Sequence, residues 1–125
     1  MKKTKSVAYC RVACYDKMAM ENQIMTINKF AESKDFTITE YYCDNGENGL
    51  TLDKPGLNKL LADIKSGKVK TVIAKDISRL VRGHFELISL LDEIKSYGVT
   101  LITVIDGKVE PIFQGWLKHM ISLGA

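Results

Sequence analysis

The chain has 125 residues, a net charge of +3, and 46% hydrophobic and 26% charged residues, which describes one ordinary globular domain able to fold without a disulfide or a metal. So small a charge excludes reading composition alone as a nucleic-acid binder; that argument has to rest on where the charges stand. No apolar run approaches the ~18 residues of a membrane span, and the run 7–10 behind the basic N-terminus is broken by Arg11 too early for a signal peptide.

Taken in order, residues 6–12 read as a first strand, and residues 20–34 carry Met20, Ile24, Ile27 and Ala31 at helical spacing with Phe30 beside that stripe. Residues 36–42 alternate like a half-buried strand. Asn45-Gly46 and Asn48-Gly49 make 44–54 a loop, and Pro55 opens a helix whose apolar face is Leu57, Leu60, Leu61 and Ile64, ended by Gly67. Residues 69–74 form a short third strand. Leu87, Leu90, Leu91 and Ile94 make another helical face, stopped by Gly98. Residues 99–105 are almost continuously apolar, as a parallel strand buried on both faces requires. The segment 110–125, with Ile112, Phe113, Trp116, Leu117, Met120, Ile121 and Leu123, is a crowded apolar tail that either covers the domain or meets a partner.

This alternation predicts an α/β domain with a mainly parallel sheet of four to five strands flanked by helices. Ligands of such sheets gather at the C-terminal strand ends. Here those ends are Arg11-Val12-Ala13, Cys43-Asp44, Lys75-Asp76 and Asp106-Gly107.

The polar residues at those ends are the candidates for chemistry. Arg11 stands inside an apolar strand, where an arginine needs a partner: either a structural salt bridge to Asp44 or Asp76, or a bound anion. Arg79 and Arg82 are three apart and project from one face of a helical turn. With Arg11 they would form a cationic pocket suited to a phosphodiester, with Ser78 and the turn's amides adding hydrogen bonds; the alternative is a solvated basic helix face. Three arginines at two neighbouring strand ends favour phosphate. The loop after Asp44 lacks both GxGxxG and the P-loop lysine, so by itself it reads as a connecting turn. Cys10 and Cys14 are separated by ~13 Å on an extended strand, too far for a disulfide unless the chain bends sharply after Val12, and read as buried small hydrophobes. The odd cysteine count, without paired metal spacing, points to a reducing cytoplasmic compartment. His84 and His119 are isolated, so no metal set is expected.

Four ordered motifs resemble the catalytic domain of serine site-specific DNA recombinases, the resolvase/invertase family. They are Tyr9-Cys10-Arg11-Val12-Ala13 followed by Glu21-Asn22-Gln23; Tyr42-Cys43-Asp44 running into the glycine-containing loop 45–49; Asp53-Lys54-Pro55-Gly56; and Lys75-Asp76-Ile77-Ser78-Arg79-Leu80-Val81-Arg82. The similarity runs from about residue 6 to residue 107, and its motif style is closest to the large serine recombinases of mobile elements. The resemblance implies that a serine hydroxyl attacks a DNA phosphodiester, giving a 5′-phosphoserine link and a free 3′ hydroxyl. Arginines stabilise the charge on phosphorus without a metal or cofactor, and subunits of a homo-oligomer exchange strands of double-stranded DNA. It implies neither a membrane nor a small-molecule substrate. By the same resemblance Arg11, Arg79 and Arg82 match phosphate-binding arginines, and Tyr9, Gln23, Asp44, Lys54 and Ser78 match binding or supporting positions.

Two departures bear on activity. The nucleophile's position holds Ala13, whose methyl group cannot attack phosphorus, and Lys54 replaces an arginine, keeping the charge but losing the bidentate fork. The reading is a single catalytic domain over 1–125, C-terminally truncated or decayed, that retains the fold and the phosphate pocket but not the chemistry. The alternatives are a non-catalytic dimerising or regulatory module derived from a recombinase, and a flavodoxin-like binder sharing the same strand–helix rhythm.

Overall fold

In the computed structural model, which describes residues 4–46, 54–76, 84–105 and 107–108, strands and helices alternate as the periodicity requires. They are β1 (Thr4–Val12), α1 (Lys17–Ser33), β2 (Phe36–Asn45), α2 (Pro55–Lys65), β3 (Thr71–Ala74), α3 (His84–Ser96), β4 (Thr100–Thr103) and β5 (Gly107–Lys108). The sheet order is β2-β1-β3-β4-β5. β1 is parallel to β2 and to β3, and β3 to β4, while the two-residue β5 runs antiparallel to β4. The expected mainly parallel α/β sheet is therefore present. The expectations placed on residues 47–53, on Ser78, Arg79, Arg82 and Asp106, and on the tail 110–125 lie outside the described residues.

Each face of the sheet has its own core. Val7 and Tyr9 of β1, Tyr42 of β2, Val72 of β3 and Leu101 of β4 pack against Leu57, Leu60 and Ile64 of α2 and Leu90, Leu91 and Ile94 of α3. Ala8 and Cys10 of β1, Ile73 of β3 and Ile102 of β4 pack against Met20, Ile27 and Ala31 of α1. Strand alternation divides the side chains between the two cores. β3 is buried along its whole length, which is why its sequence is apolar at successive positions rather than alternate ones.

Several boundaries move from their expected places. α1 begins at Lys17 rather than Met20, because the Asp16 side chain accepts a hydrogen bond from the Ala19 amide (3.0 Å) and caps the first turn. β2 continues to Asn45, so Asp44 and Asn45 are strand residues and not loop. Pairing with β1 extends this far, with Arg11 opposite Asp44 and Val12 opposite Asn45. β4 is confined to 100–103.

A register shift between Ser6 and Val7 has the largest consequence for the site. Ser6 pairs with Ile38 but Val7 pairs with Glu40, so Thr39 is an extra residue on β2, a β-bulge. The Thr39 hydroxyl donates to the Ser6 carbonyl (3.3 Å) at that point. The bulge reverses the phase of β2. Before it, Phe36 and Ile38 lie against the α1 core; after it, Tyr41 does, and Tyr42 lies in the α2/α3 core.

Candidate active site

Asp44 follows from that reversed phase. It is buried on the α2 side, two residues after Tyr42. The Tyr9 hydroxyl donates to its Oδ2 at 2.6 Å. The amides of Gly56 and Leu57, in the first turn of α2, donate to Oδ1 at 2.7 Å and Oδ2 at 2.9 Å. One carboxylate from a strand thus supplies the N-terminal acceptor that the Lys54 side chain does not provide. Gly56 is required by this closeness: a Cβ there would stand 2.9 Å from both Asp44 carboxylate oxygens and from the Cys43 carbonyl. Burial, then the bond to Asp44, holds the Tyr9 phenol far above its ordinary value of 10.0, with the charge of Arg11 pulling weakly the other way.

Arg11, 3% exposed, shares the face of Tyr9 and is paired in register with Asp44. Its backbone is held from the opposite flank. β1 pairs with β3 only through Tyr9, opposite Ala74. Beyond that point Gln23 of α1 takes the place of a neighbouring strand. Its Oε1 accepts from the Arg11 amide and its Nε2 donates to the Arg11 carbonyl, both at 3.1 Å. The two strands are free to part there without leaving buried backbone groups unpaired. The next carbonyl, Val12, faces β2 and accepts from Gly46 at 2.8 Å, where the Asn45-Gly46 turn has a positive φ of 92°.

Where β1 and β3 part there is a cleft of about 250 Å³, lined by Val12 of β1, Ala19, Asn22, Gln23 and Thr26 of α1, and Lys75 after β3. β1 connects outward to β2 on one side and β3 to β4 on the other, so the cleft lies at the topological switch point of the sheet. Ala13 follows Val12 in a bend at this end of the sheet and is exposed. The bend carries the chain over the end of β2, where Asn45 Oδ1 accepts from the Asp16 amide at 2.9 Å.

Of the residues singled out in the sequence, Tyr9, Arg11, Gln23, Asp44 and Lys54 are buried around the C-terminal ends of β1 and β2, with Ala13 just beyond. Lys54, 1% exposed, directly precedes α2. Lys75, at one of the strand ends expected to gather ligands, lines the cleft, and so do Asn22 and Thr26, which were not singled out as site residues. The available signal was helical spacing: Ala19, Asn22, Gln23 and Thr26 form a small and polar stripe beside the apolar one. Gln23 itself replaces Ile24 in the buried stripe of α1. One cysteine expectation is corrected: Cys14 is exposed, because the chain bends out of the sheet after Val12, whereas Cys10 is buried as expected. Among the described residues no group of three or more histidine, cysteine or acidic side chains is placed to hold a metal, and no helix is long and apolar enough to cross a membrane.

A parallel α/β sheet with a cleft at its switch point, lined by the buried Gln23 together with Asn22, Thr26 and Lys75, defines the class. Residues 6–121 match the family described as Resolvase, N terminal domain, and the chain belongs to that family. A putative DNA recombinase of Bacillus subtilis (strain 168) is 33% identical over 86 residues, 69% of this chain and 17% of the relative's length. The N-terminal catalytic domain of TP901-1 integrase superposes with a TM-score of 0.84 at 20% identity, over 98% of this chain and 100% of that one. A resolvase family site-specific recombinase from Streptococcus pneumoniae superposes with a TM-score of 0.75 at 28% identity, over 96% of this chain and 89% of that one. The fold is that of serine recombinase catalytic domains, and this chain spans about a sixth of its curated relative.

Proposed function

We propose that this chain is a site-specific recombinase catalytic domain that keeps a DNA phosphate pocket and lacks the nucleophile. The observation that carries the reading is Ala13: exposed, two residues beyond the buried Arg11, and at the strand end that borders the switch-point cleft. A serine hydroxyl at that point would reach solvent and a docked phosphodiester, with Arg11 behind it and Arg79 and Arg82 supplied by the segment after β3. A buried cation is screened less by water than a surface one, so Arg11 supports charge developing on phosphorus even from beneath the strand end. Gln23 and Asp44 are positioning residues in this reading: one holds the Arg11 backbone, the other ties β2 to α2. Double-stranded DNA is the substrate and a homo-oligomer the working state, both carried over from the family.

A DNA-cleavage assay on a suicide substrate tests this, with the chain fused to an intact DNA-binding region. Ala13→Ser is expected to form a covalent protein–DNA adduct and the unaltered chain none. An adduct formed by the unaltered chain would overturn the proposal, as would a folded Ala13→Ser protein that forms none.

A second reading, a non-catalytic module that pairs with an intact recombinase, is supported by Tyr15, Met18 and Met25, which are 76%, 71% and 54% exposed at the start and along one side of α1. Methionines on a surface suit adaptable protein contacts. Co-purification with an active recombinase that is lost in Met18→Glu would favour it.

A further inference from the structure

The phase reversal in β2 also brings together two thiols that the phosphate site does not use. Cys10 and Cys43 are register partners on β1 and β2. Neighbouring strands lie about 4.8 Å apart, within the Cα separation of about 4.4–6.8 Å that a disulfide spans. Partners in register project to the same face of a sheet, here the α1 face on which Cys10 packs. The two differ in access: Cys10 is fully buried in that core, and Cys43, on the edge strand, is exposed. An accessible sulfur backed by a shielded one is the arrangement of an attacking and a resolving thiol.

We propose that Cys43 and Cys10 form an oxidant-sensitive dithiol site, in which Cys43 reacts with a hydroperoxide and Cys10 resolves the product to a reversible cross-strand disulfide. In the first step the Cys43 thiolate sulfur attacks the terminal peroxide oxygen. The O–O bond breaks, the alkoxide or hydroxide leaves and takes up a proton, and Cys43 is left as a sulfenic acid. In the second step the Cys10 sulfur attacks the Cys43 sulfur. The S–O bond breaks, the hydroxyl leaves as water with the Cys10 proton, and the S–S bond forms. Two electrons pass from the thiol pair to the peroxide. A hydrogen bond from the Cys10 thiol draws the Cys43 thiol down from 9.0 to about 7, against the opposing effects of partial burial and Asp44, so a large fraction of Cys43 is nucleophilic at neutral pH. The bond would tie β1 to β2 one residue short of Arg11 and Asp44.

The test treats the intact chain with hydrogen peroxide, blocks the remaining thiols with iodoacetamide and maps the peptides by mass spectrometry. The expected product joins the β1 and β2 peptides through Cys10 and Cys43, leaves Cys14 alkylated, and reverts with dithiothreitol. Cys10→Ala is expected to stop at a Cys43 sulfenic acid captured by dimedone, and to alkylate at Cys43 several-fold more slowly at neutral pH. Oxidation of Cys14 ahead of Cys43, or direct passage of Cys43 to sulfinic acid in the unaltered chain without the cross-link, would overturn the proposal. The unaltered chain decides this even where a cysteine variant folds poorly.

Discussion

Asp44 accepts from a phenol and from two amides of another element, and so ties β1, β2 and α2 together at the site. Two predictions belong to it. Gly56→Ala drives a methyl group into the Asp44 carboxylate and the Cys43 carbonyl, where backbone has to shift. The expected loss is about 1–3 kcal/mol, read as a lower denaturation midpoint with an unchanged slope. The second concerns alkali. An unfolded Tyr9 gives up its proton near 10.0, whereas the folded residue keeps it to far higher pH. Stability is therefore undiminished below about pH 10 and falls as pH rises above it, because only the unfolded chain gains by ionising there. Tyr42, raised by burial and by its bond to Asp63, acts with the same sign. Tyr9→Phe removes one of these ionisations, so its midpoint should fall less steeply with alkali than that of the unaltered chain.

At the scale of elements, the junction of α1 with β1 decides whether a cleft exists. β1 and β3 pair at Val7, Ala8 and Tyr9. A further strand pair would close the switch point; Gln23 closes the hydrogen bonding instead and leaves the space open. Gln23→Leu keeps the size of the side chain and strands a buried donor and a buried acceptor on Arg11. The expected cost is on the order of 3 kcal/mol. Hydrogen exchange provides the local check: the Arg11 amide should lose protection out of proportion to amides in the middle of β3.

For the whole molecule, the proposed function combined with a net charge of +3 on 125 residues requires DNA affinity to come from a few placed cations rather than from a general basic field. Affinity should then fall with salt in proportion to the phosphates neutralised, by about 0.9 in log K per phosphate for each decade of salt. Arg79→Ala should reduce that slope by about one and weaken binding evenly across sequences. A slope unmoved by the substitution would remove Arg79 from the phosphate contacts.

The alternation of apolar runs and helical stripes was enough to read an α/β chain with a mainly parallel sheet. The order of its motifs was enough to place Arg11 and Asp44 at strand ends and Gln23 on the first helix, because both patterns are local and periodic. The faces those residues occupy were not local information. Residues 36–38 alternate and the alternation breaks at Thr39-Glu40, but that break alone does not say that Thr39 is an extra residue in a strand pair. The bulge arises from the pairing of β2 with β1, and a shift of one residue sends every later side chain to the other face. That shift turns Asp44 toward Tyr9 and α2, and sets Cys43 beside Cys10. In the same way Gln23 reads as a polar interruption of an amphipathic helix until β1 and β3 part and leave the Arg11 backbone in need of a partner. Sequence determined which elements form and which residues lie at their ends; the pairing of strands distant in sequence decided which of those residues meet.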